Sequence, residues 1–148
     1  MAGSATKNRV IYPLQTRVIN PIVMLAHNLG MPPPGDALLE TTGRRTGRPL
    51  RTPVCDGLDG QTFWLVAQRG RRADWVQNIQ AHPRVRVKVR TGSGLIWRAG
   101  TAHILDDDDP RERQRLIGRG NLARRLCLSA SAAIGTDPLT VRIDLDTR

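Results

Sequence analysis

The residues best equipped for chemistry lie in one stretch, Thr41-Thr42-Gly43-Arg44-Arg45-Thr46-Gly47-Arg48-Pro49-Leu50-Arg51-Thr52-Pro53. Glycine lets backbone N–H groups come close to an anion, and the arginines add charge-assisted hydrogen bonds. The glycine spacing is not that of a Walker A loop, and no Lys-Ser/Thr follows; nor is it a dinucleotide fingerprint. A plain solvated turn would account for the same composition. A second basic stretch, Ala67-Gln68-Arg69-Gly70-Arg71-Arg72-Ala73-Asp74-Trp75-Val76-Gln77-Asn78, sets arginines where a strand ends and a helix begins, a place that favours anions. Trp75 and Asn78 share one face of that helix. Trp75 suits the core as well as a ligand, and Asn78 suits a hydrogen bond that fixes a loop.

Other chemistries find little support. No Ser-His-Asp or paired-carboxylate arrangement appears, so no side chain is assigned a catalytic role. His27, His82 and His103 are scattered and fit no metal motif, and no metal site is expected. Cys55 and Cys127 lack CxxC spacing and are too few for a disulfide framework; each reads as a small core residue. The formal charge is +10, and 21 of the 23 basic residues are arginine. The partner is therefore expected to be anionic: a phosphorylated cofactor, a membrane surface or nucleic acid. Five aromatic residues are too few for a base-stacking platform, which weighs against nucleic acid despite the basic run Arg84 to Arg90.

A chain of 148 residues suits one domain, residues 1–148, with a core that needs no metal or crosslink. The longest apolar run, Pro21 to Ala26, is far below the roughly 20 residues of a membrane span. No secretory signal is evident, and a cytoplasmic location is expected. Residues 1–8 read as disordered. A bent helix is expected over 9–29, with Gly30 as its stop. Arg9 and Arg17 flank its apolar face, which could pack on the domain's own core or touch a membrane surface. Strands follow at Ala37–Thr41, Thr52–Cys55, Thr62–Ala67, Val85–Val89, Leu95–Ile104 and Leu139–Leu145, with a DG turn at Asp59-Gly60. Helices are expected at Asp74–Ala81 and, capped by Asp109 with Pro110 first and Glu112 as reciprocal partner, in two pieces to about Ala133. This indicates an α+β fold: about six mainly antiparallel strands in a partly closed barrel with flanking helices.

The segments LLETTGRRTGRPLRTPV, VAQRG, ADWVQNIQAHPRVRV, WRAGTAHIL, DDPRERQRLIG and GTDPLTVRIDL occur in that order over nearly all of the chain beyond about residue 20. Together they resemble the deazaflavin-dependent nitroreductase family. The resemblance implies a split β-barrel and the cofactor coenzyme F420, an 8-hydroxy-5-deazaflavin with a phosphate-linked oligoglutamate tail. It implies that Arg44, Arg45, Thr46 and Gly47, joined by Arg51, hold the phosphate and tail. Thr52, Pro53 and Val54 would lie against the ring, Ala67, Gln68, Arg69 and Gly70 at its edge, and Trp75 and Asn78 would close the pocket. The implied activity is hydride transfer from the reduced cofactor to a quinone, enone, nitroaromatic or lactone, with a proton from solvent or a group such as Gln68. Three departures stand out. Leu50 replaces a frequent arginine, the Gly70–Trp75 loop is short, and the only tyrosine is Tyr12, so the substrate-side tyrosines of nitroimidazole-reducing members are missing. A non-catalytic carrier of the cofactor or of an acidic lipid, and an FMN-dependent reductase, are the alternatives on the same barrel. Homodimers are common among such barrels.

Overall fold

The computed structural model describes residues 20–29, 35–133 and 135–147. Its elements are α1 (Asn20–Asn28), β1 (Asp36–Thr42), β2 (Pro49–Cys55), β3 (Leu58–Asp59), β4 (Thr62–Ala67), α2 (Asp74–Ala81), β5 (Arg84–Thr91), β6 (Gly94–Leu105), α3 (Pro110–Gly118), α4 (Leu122–Ala133) and β7 (Leu139–Leu145). A short 3-10 turn, Gly70–Arg72, leads into α2. One antiparallel sheet runs in the order β2-β1-β5-β6-β7-β4-β3. This is the α+β split-barrel architecture expected, with a two-residue β3 added to the six strands. Residues 1–8, the part of the expected first helix before Asn20, and Gly30 lie outside the described residues.

Alternation decides which way each strand faces. In β5 the valines Val85, Val87 and Val89 are buried, whereas Arg84, Arg86 and Arg90 are exposed. The register places Val85 opposite Gly100 and Val89 opposite Ile96. Across β7 and β4, Ile143 meets Phe63 and Val141 meets Leu65. These side chains, with Ala37 and Leu39 of β1, form the inner core. The opposite face carries Glu40, Arg86, Trp97 and Arg142. One turn lets two strands close tightly: Gly60 sits at φ +60 between β3 and β4, a region L side chains avoid.

The helices begin where the chemistry of their first residues directs. Asp109 accepts hydrogen bonds from the N–H groups of Arg111 and Glu112, and Pro110 opens α3. The Glu112 side chain pairs with Arg115 within the helix rather than serving as the reciprocal half of a capping box. α3 and α4 pack on each other beside β4, α1 packs on β2, and α2 on β1. The cysteines depart from expectation. Cys55 of β2 and Cys127 of α4 form a disulfide across a sequence separation of 72. Both are half-buried, at the seam between strand and helix.

Desolvation raises the Asp36 carboxyl, at the start of β1, to about 6 from an ordinary 3.8. The native state therefore keeps this proton over a range in which the unfolded chain has already lost it. Stability is lost as pH rises from about 4 through about 6, and the full cost is present above that. Asp36→Asn should match the parent near pH 4 and exceed it by on the order of 1 kcal/mol near pH 8, the partial exposure of the carboxyl having been discounted. Urea unfolding at the two pH values checks this; an equal difference at both would contradict it.

Candidate functional site

The basic glycine segment forms a closed turn between β1 and β2. The Gly43 N–H donates to the Arg48 carbonyl and the Gly47 N–H to the Gly43 carbonyl, each at 2.8 Å. Thr46 Oγ1 accepts from the Arg48 N–H at 3.3 Å. Gly47 takes a positive φ of 71° with open space on its Cβ side, so the turn's outer edge is unobstructed. Arg45, Thr46, Gly47 and Arg48 are exposed there.

What fixes this turn in space is Asn78. Its side chain is only 2% exposed, and its Oδ1 accepts from the Arg44 backbone N–H at 3.2 Å and from Arg44 Nη1 at 2.9 Å. Its Nδ2 donates to Thr41 Oγ1 at 3.2 Å. Arg44 also reaches the first turn of α2, with Nη2 3.4 Å from Asp74 Oδ1 and Nη1 3.4 Å from the Asp74 carbonyl. One buried amide thus ties strand end, turn and helix together. The residue before α2, Ala73, offers no side-chain cap.

The second basic segment lies on the other flank of the same helix start. Ala67, Ala73 and Val76 form a small buried cluster against which Trp75 packs; Trp75 is half-buried and also touches the main core. Gln68 gives its carbonyl to the N–H groups of Thr136 and Asp137, at 2.9 and 3.0 Å. Its amide donates to Gln114 Oε1 of α3 at 3.2 Å. Gly70, at φ +60, lies so close to the Asp137 carbonyl that a Cβ there would come within 2.5 Å of it. Arg69 is half-buried just before it. Arg72 Nη2 donates to Thr136 Oγ1 at 3.0 Å, and Arg71 pairs with Asp106.

The expected contacts divide along β2. Thr52 pairs with Leu39 and Val54 with Ala37, so both face inward, and Val54 packs on the core. Pro53 and Arg51 alternate to the opposite face. The Arg51 Nε lies 3.1 Å from Glu40 Oε2, while Arg86 donates from two nitrogens to the same carboxylate at 2.9 Å. Burial alone would raise the Glu40 pKa, but the hydrogen bonds from Arg86 and Arg51 outweigh it and hold the carboxyl below its ordinary range. Arg51, Arg86 and Lys88 surround the Trp97 ring at 5.0, 4.7 and 5.8 Å from its centroid. The structure therefore gathers Arg44, Asn78 and, through α2, Ala67, Gln68, Gly70 and Trp75. It places Arg51 and Pro53 elsewhere. Thr41 and Asp74, which the sequence reading did not single out, complete the Arg44–Asn78 cluster. Asp74 was visible as the acidic first residue of a helix, but its reach to Arg44 depends on a tertiary contact that spacing does not encode.

The profile of the F420H(2)-dependent quinone reductase family matches residues 17–146. An F420H(2)-dependent quinone reductase of Mycobacterium tuberculosis is 34% identical over 68 residues, covering 44% of this chain and 45% of that protein. The chain thus matches under half the length of this curated relative. Among solved structures, an F420-H2 dependent reductase has a TM-score of 0.51 at 21% identity, over 76% of this chain and 94% of the other. A heme storage protein of Vibrio cholerae has a TM-score of 0.52 at 10% identity, over 85% and 92%. At these identities the two structures establish the split-barrel fold alone.

Removing the buried amide should be costly. Asn78→Ala strands the Arg44 N–H and the Thr41 hydroxyl, and is expected to lower stability by about 2 kcal/mol. Asn78→Asp keeps an acceptor for Arg44 and should recover part of that loss. Urea unfolding, with amide exchange read at Gly43–Arg48, tests both; a fully protected turn in Asn78→Ala would contradict the assignment.

Proposed function

Because the chain belongs to the F420H(2)-dependent quinone reductase family, we propose that it binds coenzyme F420 and reduces a quinone or another electron-poor acceptor with it. The observation that carries this reading is the anchored turn beside the start of α2. Among the described residues no ion pair reaches Arg45 or Arg48, whereas Arg44 is held in place by Asn78 and Asp74. Exposed arginines on a fixed glycine turn, next to helix N–H groups, form a donor set suited to a phosphate and a chain of carboxylates. The residues present therefore fit the group.

In this reading Arg45, Thr46, Gly47 and Arg48 hold the phosphate and tail, and Arg44 supports them from beneath. Thr52 and Val54 offer an inward, half-apolar strand face to a flat ring, and Ala67, Gln68 and Gly70 offer a rigid edge. Trp75 shields that region from water on the α2 side. When bound, the reduced deazaflavin supplies the hydride. The protein's own part is to orient the partners and exclude water, which can account for much of the rate without a dedicated acid or base. Gln68 is locked between Gln114 and the Thr136–Asp137 amides, so it serves as a fixed hydrogen-bonding wall. Arg51, committed to Glu40 and Trp97, is a structural cation rather than a tail ligand. Among the acceptors, quinones come first because the related reductase is named for them, with enones, nitroaromatics and lactones beside them. No helix of the described residues is long and apolar enough to cross a membrane.

Purified protein should oxidise reduced F420 in the presence of a soluble quinone, followed by the return of deazaflavin absorbance. Arg45→Ala is expected to raise the KM for the cofactor about tenfold or more with a smaller effect on kcat, the pattern of a lost binding contact. Binding of FMN in place of F420 would move the chain to the flavin branch of the fold. Tight F420 binding without turnover on any acceptor would make it a carrier.

A further inference from the structure

The Cys55–Cys127 bond joins two parts that bear on the proposed cofactor region. Cys55 follows Val54 at the end of β2, the strand whose inward face the functional reading above sets against the cofactor ring. Cys127 lies in the middle of α4, a helix that packs on α3 and β2 yet buries little of its own surface. Leu128 is its one buried residue among those described, whereas Leu122 and Leu126 are each 63% exposed. Its polar ties include Arg124, which reaches Asp56 at 3.5 Å and the Leu58 carbonyl at 3.1 Å, and a bond of 3.4 Å from Gln114 to the Leu128 carbonyl. Past its end the chain enters Gly135–Asp137, the turn that holds the Gln68 carbonyl and packs on Gly70. A crosslink at Cys127 is therefore mechanically connected to both flanks of the proposed site.

The surroundings accommodate the reduced pair as well. Cys127 Sγ lies 3.2 Å from Asp36 Oδ1, and Cys55 Sγ lies 3.5 Å from Ser131 Oγ. Once the bond opens and the sulfurs separate, an oxygen acceptor lies close to either thiol. Both cysteines are half-buried rather than sealed in the core.

We propose that Cys55–Cys127 is a thiol–disulfide exchange site whose reduction frees α4 and, through the Gly135–Asp137 turn, loosens Gln68 and Gly70. The partner is a dithiol. One of its thiolates attacks a sulfur of the pair, the Sγ–Sγ bond breaks, and the displaced sulfur leaves as a thiolate that takes a proton. The second thiol of the reductant then resolves the mixed disulfide. In total two electrons and two protons pass to Cys55 and Cys127, and the dithiol becomes a disulfide. The bond closes in an oxidising compartment and opens in a reducing one.

The test compares the oxidised protein, the same protein incubated with dithiothreitol, and Cys127→Ser, by amide hydrogen exchange without denaturant. The expected result is that reduction and substitution each speed exchange about tenfold or more in α4 and at Gly135–Asp137, while Val87 and Val141 of the core strands keep their protection. Equal α4 protection in all three would overturn the proposal, as would a bond that dithiothreitol does not open in the native state. So would equal loss of protection in the core strands, since the bond would then be a global staple. A parallel titration with F420 draws on the functional reading above: a severalfold weaker Kd in the reduced form would extend the effect to that site. F420 binding to neither form would defeat the functional reading and leave the exchange result to decide this one.

Discussion

The site depends on a single buried amide. A glycine-rich turn is mobile by default, because its residues pack on little and its backbone has many allowed conformations. Asn78 removes that freedom from one side: it accepts from both the backbone and the side chain of Arg44 and donates to Thr41. Its near-complete burial makes each of these hydrogen bonds expensive to lose, since an unpartnered polar group away from water has no alternative. The helix that carries Asn78 is in turn held by Val76 and Ile79 in the core. The position of the exposed arginines therefore follows from core packing two steps away.

The same arithmetic of charge separates working cations from structural ones. A net charge of +10 suggests a surface uniformly ready for anions, but many of its arginines are already satisfied. Arg86 and Arg51 share Glu40, Arg84 pairs with Asp146, and Arg113 pairs with Asp108. Arg113 also lies 3.7 Å over the Trp64 ring. The outer sheet face is thus a woven layer of guanidinium, carboxylate and indole, in which these cations have local partners. Arg45 and Arg48 differ because their turn places no carboxylate within an ion pair's reach among the described residues.

Much of this was legible in the sequence where local chemistry decides structure. The His82-Pro83 pair ends α2 at Ala81, and Asp109-Pro110 starts α3. Strict alternation in Val85, Val87 and Val89 gives β5 its buried face. What the sequence leaves open is tertiary. Arg51 sits in the same basic stretch as Arg44, yet only the register with Glu40 reveals to which sheet face it belongs. Cys55 and Cys127 are brought together by the packing of α4 on β2, which no spacing rule anticipates. β3 is two residues long, below the length at which a pattern can be read.

In the proposed reading the turn cations Arg45 and Arg48, not Arg51, hold the acidic tail of the cofactor. Titration with F420 of the parent protein, an Arg45→Glu/Arg48→Glu variant and Arg51→Met measures this directly. The expected result is a Kd raised about a hundredfold or more in the double variant, a parent affinity that falls steeply with added salt, and little change in Arg51→Met. Loss of binding in Arg51→Met with the double variant unaffected would contradict it.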